Sequence, residues 1–136
     1  VAGMLVVEID ARGDYARSVW VDESGQITAA GAWMQPESSC YRSALIRCSA
    51  GGTLLSAFGT SGIHVHPLVA TEHHDIRCGA VAEDGSIYLA GYTSIGWDTQ
   101  GVVVRFHADG TADEGFGADG VALGEEGGRF FDALYI

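Results

Sequence analysis

Short apolar runs separated by glycine-containing polar turns recur along the whole chain. They lie at about 4–9, 16–21, 26–33 and 43–48 in the first half, and at about 63–69, 77–82, 86–92 and 101–106 in the second. The turn Glu83-Asp84-Gly85 separates two of these runs. Asp-Gly between alternating apolar stretches is a strong hairpin signal, because glycine accepts a positive φ. No segment combines helical periodicity with a cap at each end, so the pattern predicts an all-β chain.

The runs recur as units of about 58 residues. The segment ALIRCSAGGTLLSAFGTSGIHV, from Ala44, aligns without a gap with VVVRFHADGTADEGFGADGVAL, from Val102, at an offset of 58 residues. The segment ESGQITAAGAW, from Glu23, aligns with EDGSIYLAGYT, from Glu83, at an offset of 60 residues. The change of offset indicates a loop of different length between the two blocks, where insertions are tolerated.

Four strands in a repeat of this length are typical of a β-propeller blade. The chain is therefore predicted to be a single array of blades, each with four antiparallel strands, that comprises repeats 3–61 and 62–119 and a partial third repeat 120–136. Propellers close with about four to eight blades. The chain is then either part of a larger ring or a subunit whose copies assemble, and the expected partners are further blades of the same array or a second copy.

The residues that match between repeats are of the types that form turns and pack one blade against the next. An arginine that ends an apolar strand needs a partner, so each is expected to bond turn carbonyls or an aspartate and to tie blades together. The matching phenylalanines are expected to fill the interface between blades, and the glycines to form turns. These matched pairs are Arg47 and Arg105, Phe58 and Phe116, Gly25 and Gly85, and Gly62 and Gly120.

The second repeat closely resembles the delta-60 repeat family of bacterial proteins. The resemblance rests on EDGSIYLAG, from Glu83, and on VVVRFHADGTADEGFGADG, from Val102, and the partial repeats at the ends extend it over almost the whole chain. The first repeat departs from the pattern, since Leu55 stands where Asp113 does and Ser24 where Asp84 does. The resemblance implies a β-propeller-like fold in a secreted or cell-surface bacterial protein, and it implies no catalytic residues.

The net charge and the lengths of the apolar runs restrict the classes of partner, and the spacing of the cysteines restricts the disulfides. The net charge of −11 opposes binding to nucleic acid, and no apolar run approaches the roughly 20 residues of a membrane span. Cys40 and Cys48 would lie roughly 25 Å apart on one strand, too far for a disulfide. A bridge between Cys48 and Cys78 on neighbouring strands stays open.

Two groups of residues suggest metal binding. His64 and His66 lie on one face of a predicted strand, and His73, His74 or Asp75 could add a third ligand for zinc. The alternative is ordinary histidines, because the repeat does not conserve these positions. Calcium could bind the acidic turn residues, although Asp-Gly is also the common hairpin turn. These turn residues are Asp84, Asp109, Asp113 and Asp119. The expected cofactor is none, with calcium or zinc as the alternative.

The motifs of catalysis are missing from the sequence. No GxSxG elbow and no GxxxxGK[ST] loop occur. The chain is therefore predicted to be a non-catalytic binding or structural module, with a protein or a glycan as its ligand. The first alternative is a carbohydrate-binding or carbohydrate-active propeller, in which Trp33 or Trp97 stacks on a sugar beside a cleft. The second alternative is a metal-binding module.

Overall fold

The chain folds into strands and turns. The computed structural model describes residues 6–9, 13–37, 40–66, 73–95 and 98–124, and these ranges contain no helix. The strands of the described part are β1 (Tyr15–Val21), β2 (Ile27–Met34), β3 (Tyr41–Cys48), β4 (Ile63–Val65), β5 (His73–Val81), β6 (Ile87–Ile95), β7 (Asp98–Phe106) and β8 (Val121–Leu123). The prediction of an all-β chain is confirmed.

The strands form two sheets of the same design. The first sheet has the order β1-β2-β3-β4 and the second the order β5-β6-β7-β8, and all neighbouring strands are antiparallel. Six residues separate β2 from β3, but only two separate β6 from β7. Because β6 and β7 are each one residue longer than β2 and β3, the net difference is two residues, which accounts for the change of offset from 60 to 58. Two four-stranded antiparallel sheets built in equivalent ways confirm the prediction of propeller blades.

The sheets are staggered relative to the sequence repeats. The run at 63–69 opens the second repeat, but its strand β4 completes the first sheet, where His64 lies opposite Leu45 of β3. In the same way β8 completes the second sheet, with Val121 opposite Val104. Grouping the run at 63–69 with the second sheet is therefore wrong. A repeat determines the period of the pattern, whereas hydrogen bonding between strands determines which four strands form a sheet.

Glycines at two kinds of turn adopt conformations that other residues disfavour. Gly25 and Gly85 have φ of 79° and 84° and close the β1–β2 and β5–β6 hairpins. Gly62 and Gly120, with φ of 90° and 87°, immediately precede β4 and β8. The repeated glycines therefore fulfil a backbone requirement for positive φ.

A β-bulge recurs at the same place in both sheets. The pairing of β1 with β2 shifts between Ala16 and Ser18, and the pairing of β5 with β6 shifts between Ile76 and Cys78. Gly91 lies opposite the second bulge, and a Cβ atom there would overlap the backbone carbonyl of Asp75. Gly31 has the same relation to Tyr15. The repeated Ala-Gly of the sequence is thus needed for the close approach of two backbones.

The hydrophobic core lies between the two sheets. Its fully buried side chains come mainly from the second sheet, and Leu45 and Phe58 contribute from the side of the first. The ring of Trp20 on β1 lies against Gly79 on β5, where any Cβ would overlap it. The first strands of the two sheets are therefore in direct contact, as expected of strands near the axis of a propeller.

The remaining sequence predictions about fold concern cysteines and membranes. In the described part of the chain none of Cys40, Cys48 and Cys78 is in a disulfide, so the bridge between Cys48 and Cys78 is absent. The described part of the chain contains no helix with the length and hydropathy of a membrane span.

Candidate functional site

The junction between the two sheets contains the first of the repeated arginines. The Nε of Arg47 donates to Thr28 Oγ1 at 2.7 Å, within the first sheet. Its Nη1 donates to the carbonyl oxygen of Ala108, in a turn of the second sheet, also at 2.7 Å. Burial lowers the pKa of Arg47, but an arginine remains charged at ordinary pH. The charged guanidinium of Arg47 therefore bonds to both sheets and joins them at the junction.

Phe58 completes this contact. Its side chain is 3% exposed, and the guanidinium carbon of Arg47 lies 4.3 Å from the centre of its ring. The ring packs against Gly110, where a Cβ would overlap it, and the N–H of Gly59 donates to the carbonyl oxygen of Asp109 at 3.0 Å. The turn 108–110 of the second sheet thus fits between Arg47 and Phe58, and a glycine is required in it.

Arg105 and Phe116, the counterparts of Arg47 and Phe58 in the second repeat, lie on the opposite side of the second sheet. Arg105 pairs with Tyr88 on the face that points away from the junction, since the neighbouring Phe106 belongs to the core. The Nη1 of Arg105 lies 3.1 Å from Asp113 Oδ2, and its guanidinium carbon lies 5.4 Å from the centre of the Tyr88 ring. Phe116 is half-buried against Tyr88. Arg105 therefore bonds an aspartate within its own sheet.

The buried carboxylate of Asp75 forms a second link across the junction, a role that the sequence did not reveal. The hydroxyls of Tyr15 and Tyr92 each donate to Asp75 at 2.7 Å, and Arg77 Nη2 lies 2.9 Å from the same carboxylate. Burial alone would raise the pKa of Asp75, but the two hydroxyl donors and the charge of Arg77 outweigh it, so the pKa is lowered. Burial and the bond to Asp75 raise the pKa of Tyr15. An ionised Asp75 thus ties β1 of the first sheet to β5 and β6 of the second.

The four candidate metal ligands are divided between separate contacts. The rings of His64 and His66 pack edge-on against Phe106 at centroid distances of 5.3 and 5.5 Å. The Nδ1 of His73 accepts a hydrogen bond from the backbone N–H of Tyr41 at 3.4 Å. Within the described ranges, no three His, Cys, Asp or Glu side chains converge as metal ligands. The geometry therefore does not provide the convergence that the zinc hypothesis requires.

Burial changes the pKa values of two of these histidines, His66 and His74. His66 is 2% exposed, and neither of its ring nitrogens has a hydrogen-bond partner among the residues that the structure describes. Burial, together with the positive charges of neighbouring side chains, lowers the pKa of His66 and of His74 to about 4. Both imidazoles are therefore neutral at pH 7, and a proton on either would place a charge in the core.

The acidic turn residues bond their own turns. Asp84 Oδ1 accepts from the N–H of Ser86 at 2.8 Å, and Asp109 Oδ1 from the N–H of Thr111 at 2.9 Å. These bonds lower the pKa of both carboxyls. The largest cause is the bond from the backbone N–H of Ser86 for Asp84 and the bond from the side chain of Thr111 for Asp109. Asp113 is bound to Arg105. These contacts explain Asp84 and Asp109 as turn formers, and calcium binding stays an untested alternative.

Of the two candidate sugar-binding residues, Trp33 is the one that the structure describes, and it lies apart from the cavity that the first sheet borders. Trp33 is half-buried on β2, and Trp97 lies outside the described residues. A cavity of about 140 Å³ lies beside the first sheet, and its lining is apolar apart from Asp14 and Tyr15 and does not include Trp33. Among the described residues, Asp14 is the single carboxylate in the lining of this cavity, whereas glycoside hydrolysis uses a pair.

Comparison with known proteins supports the same architecture. Residues 82–116 match the model of a family described as a domain of unknown function (DUF5122) beta-propeller. No curated protein and no solved structure matches the chain. The matched segment runs from the β5–β6 hairpin through β7 to Phe116, and so it includes Arg105 and the 108–110 turn. This match and the two equivalent sheets identify the chain as a β-propeller-like repeat protein.

Proposed function

We propose that the chain is a non-catalytic repeat module of the delta-60 type, which acts as a structural or binding scaffold in a secreted or cell-surface bacterial protein. One observation carries the proposal: the repeated Arg47 and Phe58 are used in packing one sheet onto the next. Their contacts with Ala108 and Gly110 leave neither side chain for a substrate. The assignment to this family rests on the repeated motifs, and the cellular location on that resemblance.

Thermal unfolding in the presence of candidate small ligands tests the proposal. The purified chain is scanned alone and with calcium, with zinc, and with a panel of oligosaccharides. A ligand present at 100 times its Kd stabilises a protein by about 2.7 kcal/mol, which moves Tm by several degrees. A scaffold that recognises a protein surface is expected to show no such shift with any of these ligands.

Two variants assign any shift that does occur. A shift with an oligosaccharide that Trp33→Ala abolishes would replace the proposal with the carbohydrate-binding alternative. A shift with zinc that His64→Ala abolishes would replace it with the metal-binding alternative. Glu23→Ala, a substitution at an exposed turn position, is the control that should leave either shift unchanged.

A further inference from the structure

The junction inside the chain consists of two complementary halves. One half is the docking face of the first sheet, defined here by Arg47 and Phe58. The other half is the acceptor turn 108–110 of the second sheet, whose Ala108 carbonyl accepts from Arg47 and whose Gly110 is covered by Phe58. Gly110 is buried in this contact, with φ of 83°.

Each half has a counterpart 58 residues away, and among the residues that the structure describes no second sheet packs against that counterpart. The second docking face, defined by Arg105 and Phe116, lies on the far side of the second sheet. The second acceptor turn, 50–52, belongs to the first sheet, where Gly52 has φ of 80° and its N–H donates to the carbonyl oxygen of Ser49 at 2.9 Å. Gly110 makes the same bond to His107, also at 2.9 Å. The two acceptor turns therefore have the same backbone shape.

The far side of the first sheet also has the apolar character of a junction. Leu89, Val102 and Val104 are fully buried where the second sheet packs on the first. Their counterparts on the far side of the first sheet are Ala29, Ala44 and Ile46, and these line the cavity of about 140 Å³. A face with core-type residues and a cavity against it is suited to burial by another sheet.

We propose that a second copy of this chain docks its Arg105–Phe116 face onto the 50–52 turn and the apolar far face of the first sheet. The contact repeats between chains the junction that joins the two sheets within one chain. Arg105 then donates to the carbonyl oxygen of Ala50, and Phe116 covers Gly52. This inference rests on the proposed scaffold function and names the partner of the scaffold.

The geometry of this contact is head-to-tail, because each copy contributes a different surface to it. Such contacts generate a closed ring when the rotation between subunits closes, and an open filament when it does not. Propellers of four to eight blades correspond to two to four copies of the pair of sheets that the structure describes. Residues 6–9 lie at the cavity through Val7 and Ile9, form no strand, and have to move aside for β8 of the incoming copy. We therefore expect the association to be weaker than the contact within the chain.

Sedimentation velocity of the purified chain from about 1 to 500 µM tests the proposal. The wild-type chain is expected to form dimers and larger species as its concentration rises. Arg105→Ala and Ala50→Glu are each expected to weaken the association at least tenfold, because each damages one half of the contact at a partly exposed position. Arg17→Ala removes an arginine from an exposed position on β1 and should leave the association unchanged.

Mixing the two damaged variants shows whether the contact is head-to-tail. Ala50→Glu retains an intact docking face and Arg105→Ala an intact acceptor turn, so the mixture is expected to form a dimer and nothing larger. A wild-type chain that stays monomeric throughout, or variants that associate like the wild type, would overturn the inference. The scaffold function would survive that result, since it is tested separately by the ligand scans. Circular dichroism confirms that each variant is folded.

Discussion

Phe58 and Phe116 occupy the same position in successive repeats, but within the described residues only Phe58 lies between two sheets. Phe58 is 3% exposed and lies between the guanidinium of Arg47 and the turn at Gly110. Phe116 is half-buried and contacts the Tyr88 ring of its own sheet at 6.0 Å. Truncating each ring to alanine therefore measures what the neighbouring sheet contributes to stability.

The expected costs differ by several-fold. Removing a buried phenylalanine ring costs about 3–5 kcal/mol, since it loses transfer free energy and leaves a cavity. Part of this cost is the loss of the cation–π contact between the Phe58 ring and the Arg47 guanidinium, which is worth about 0.5–2 kcal/mol. The half-buried Phe116 ring does not lie between the two sheets, so Phe116→Ala should cost about 1 kcal/mol, as an average substitution does. Because domains are stable by only about 5–15 kcal/mol, Phe58→Ala should bring the chain close to unfolding.

Urea unfolding followed by tryptophan fluorescence measures both costs. Trp20 reports on the junction directly, because its ring lies against Gly79 of the other sheet. The measurements are made at low micromolar concentration, so that self-association does not protect Phe116. Equal losses for the two variants, or a larger loss for Phe116→Ala, would refute the view that the junction between the sheets stabilises the fold.

Three further expectations concern single features of the two sheets. Gly91→Ala should lower the free energy of unfolding by more than about 2 kcal/mol or prevent folding, because its Cβ overlaps a backbone carbonyl, whereas Gly51→Ala should be nearly neutral in the same urea titration. His66 takes up a proton near pH 6.5 when unfolded but near pH 4 when folded, so stability should fall by up to about 3 kcal/mol as the pH drops through that interval. His66→Gln should flatten this part of a Tm-against-pH curve, and a curve unchanged by the substitution would contradict the assignment. Asp75→Asn should cost about 2 kcal/mol at pH 7, measured by thermal unfolding, and Tyr92→Phe, which removes one of the three donors, should cost less.

Local features of the fold could be read from the residues one by one. Asp84-Gly85 forms its hairpin because glycine tolerates positive φ and the aspartate bonds the turn N–H of Ser86. The matching glycines and the change of offset predicted two units of equal design, and the loop between β2 and β3 differs in length as expected. Such features depend on neighbours within a few residues, and so the order of residues is enough to predict them.

The Asp75 network shows why other features could not be read in this way. Its partners Tyr15 and Tyr92 lie 60 and 17 residues away along the chain. The counterpart of Asp75 in the first sheet is Tyr15, so the repeat itself carries no signal of the network. Its existence depends on how closely the two sheets approach each other, which no local pattern records.

The sequence by itself determined the turns, the period of the repeat, the residues that recur in it and most of the strands, although residues 6–9 of the apolar run at 4–9 form none. Tertiary structure alone decided that β4 joins the first sheet, that Arg47 bonds the carbonyl of Ala108, and that Arg105 bonds its own sheet. The physical reason is that backbone preference acts within a few residues, whereas pairing and packing are settled by the surfaces that meet. Identical side chains at equivalent positions therefore have different partners, according to whether a neighbouring sheet is present.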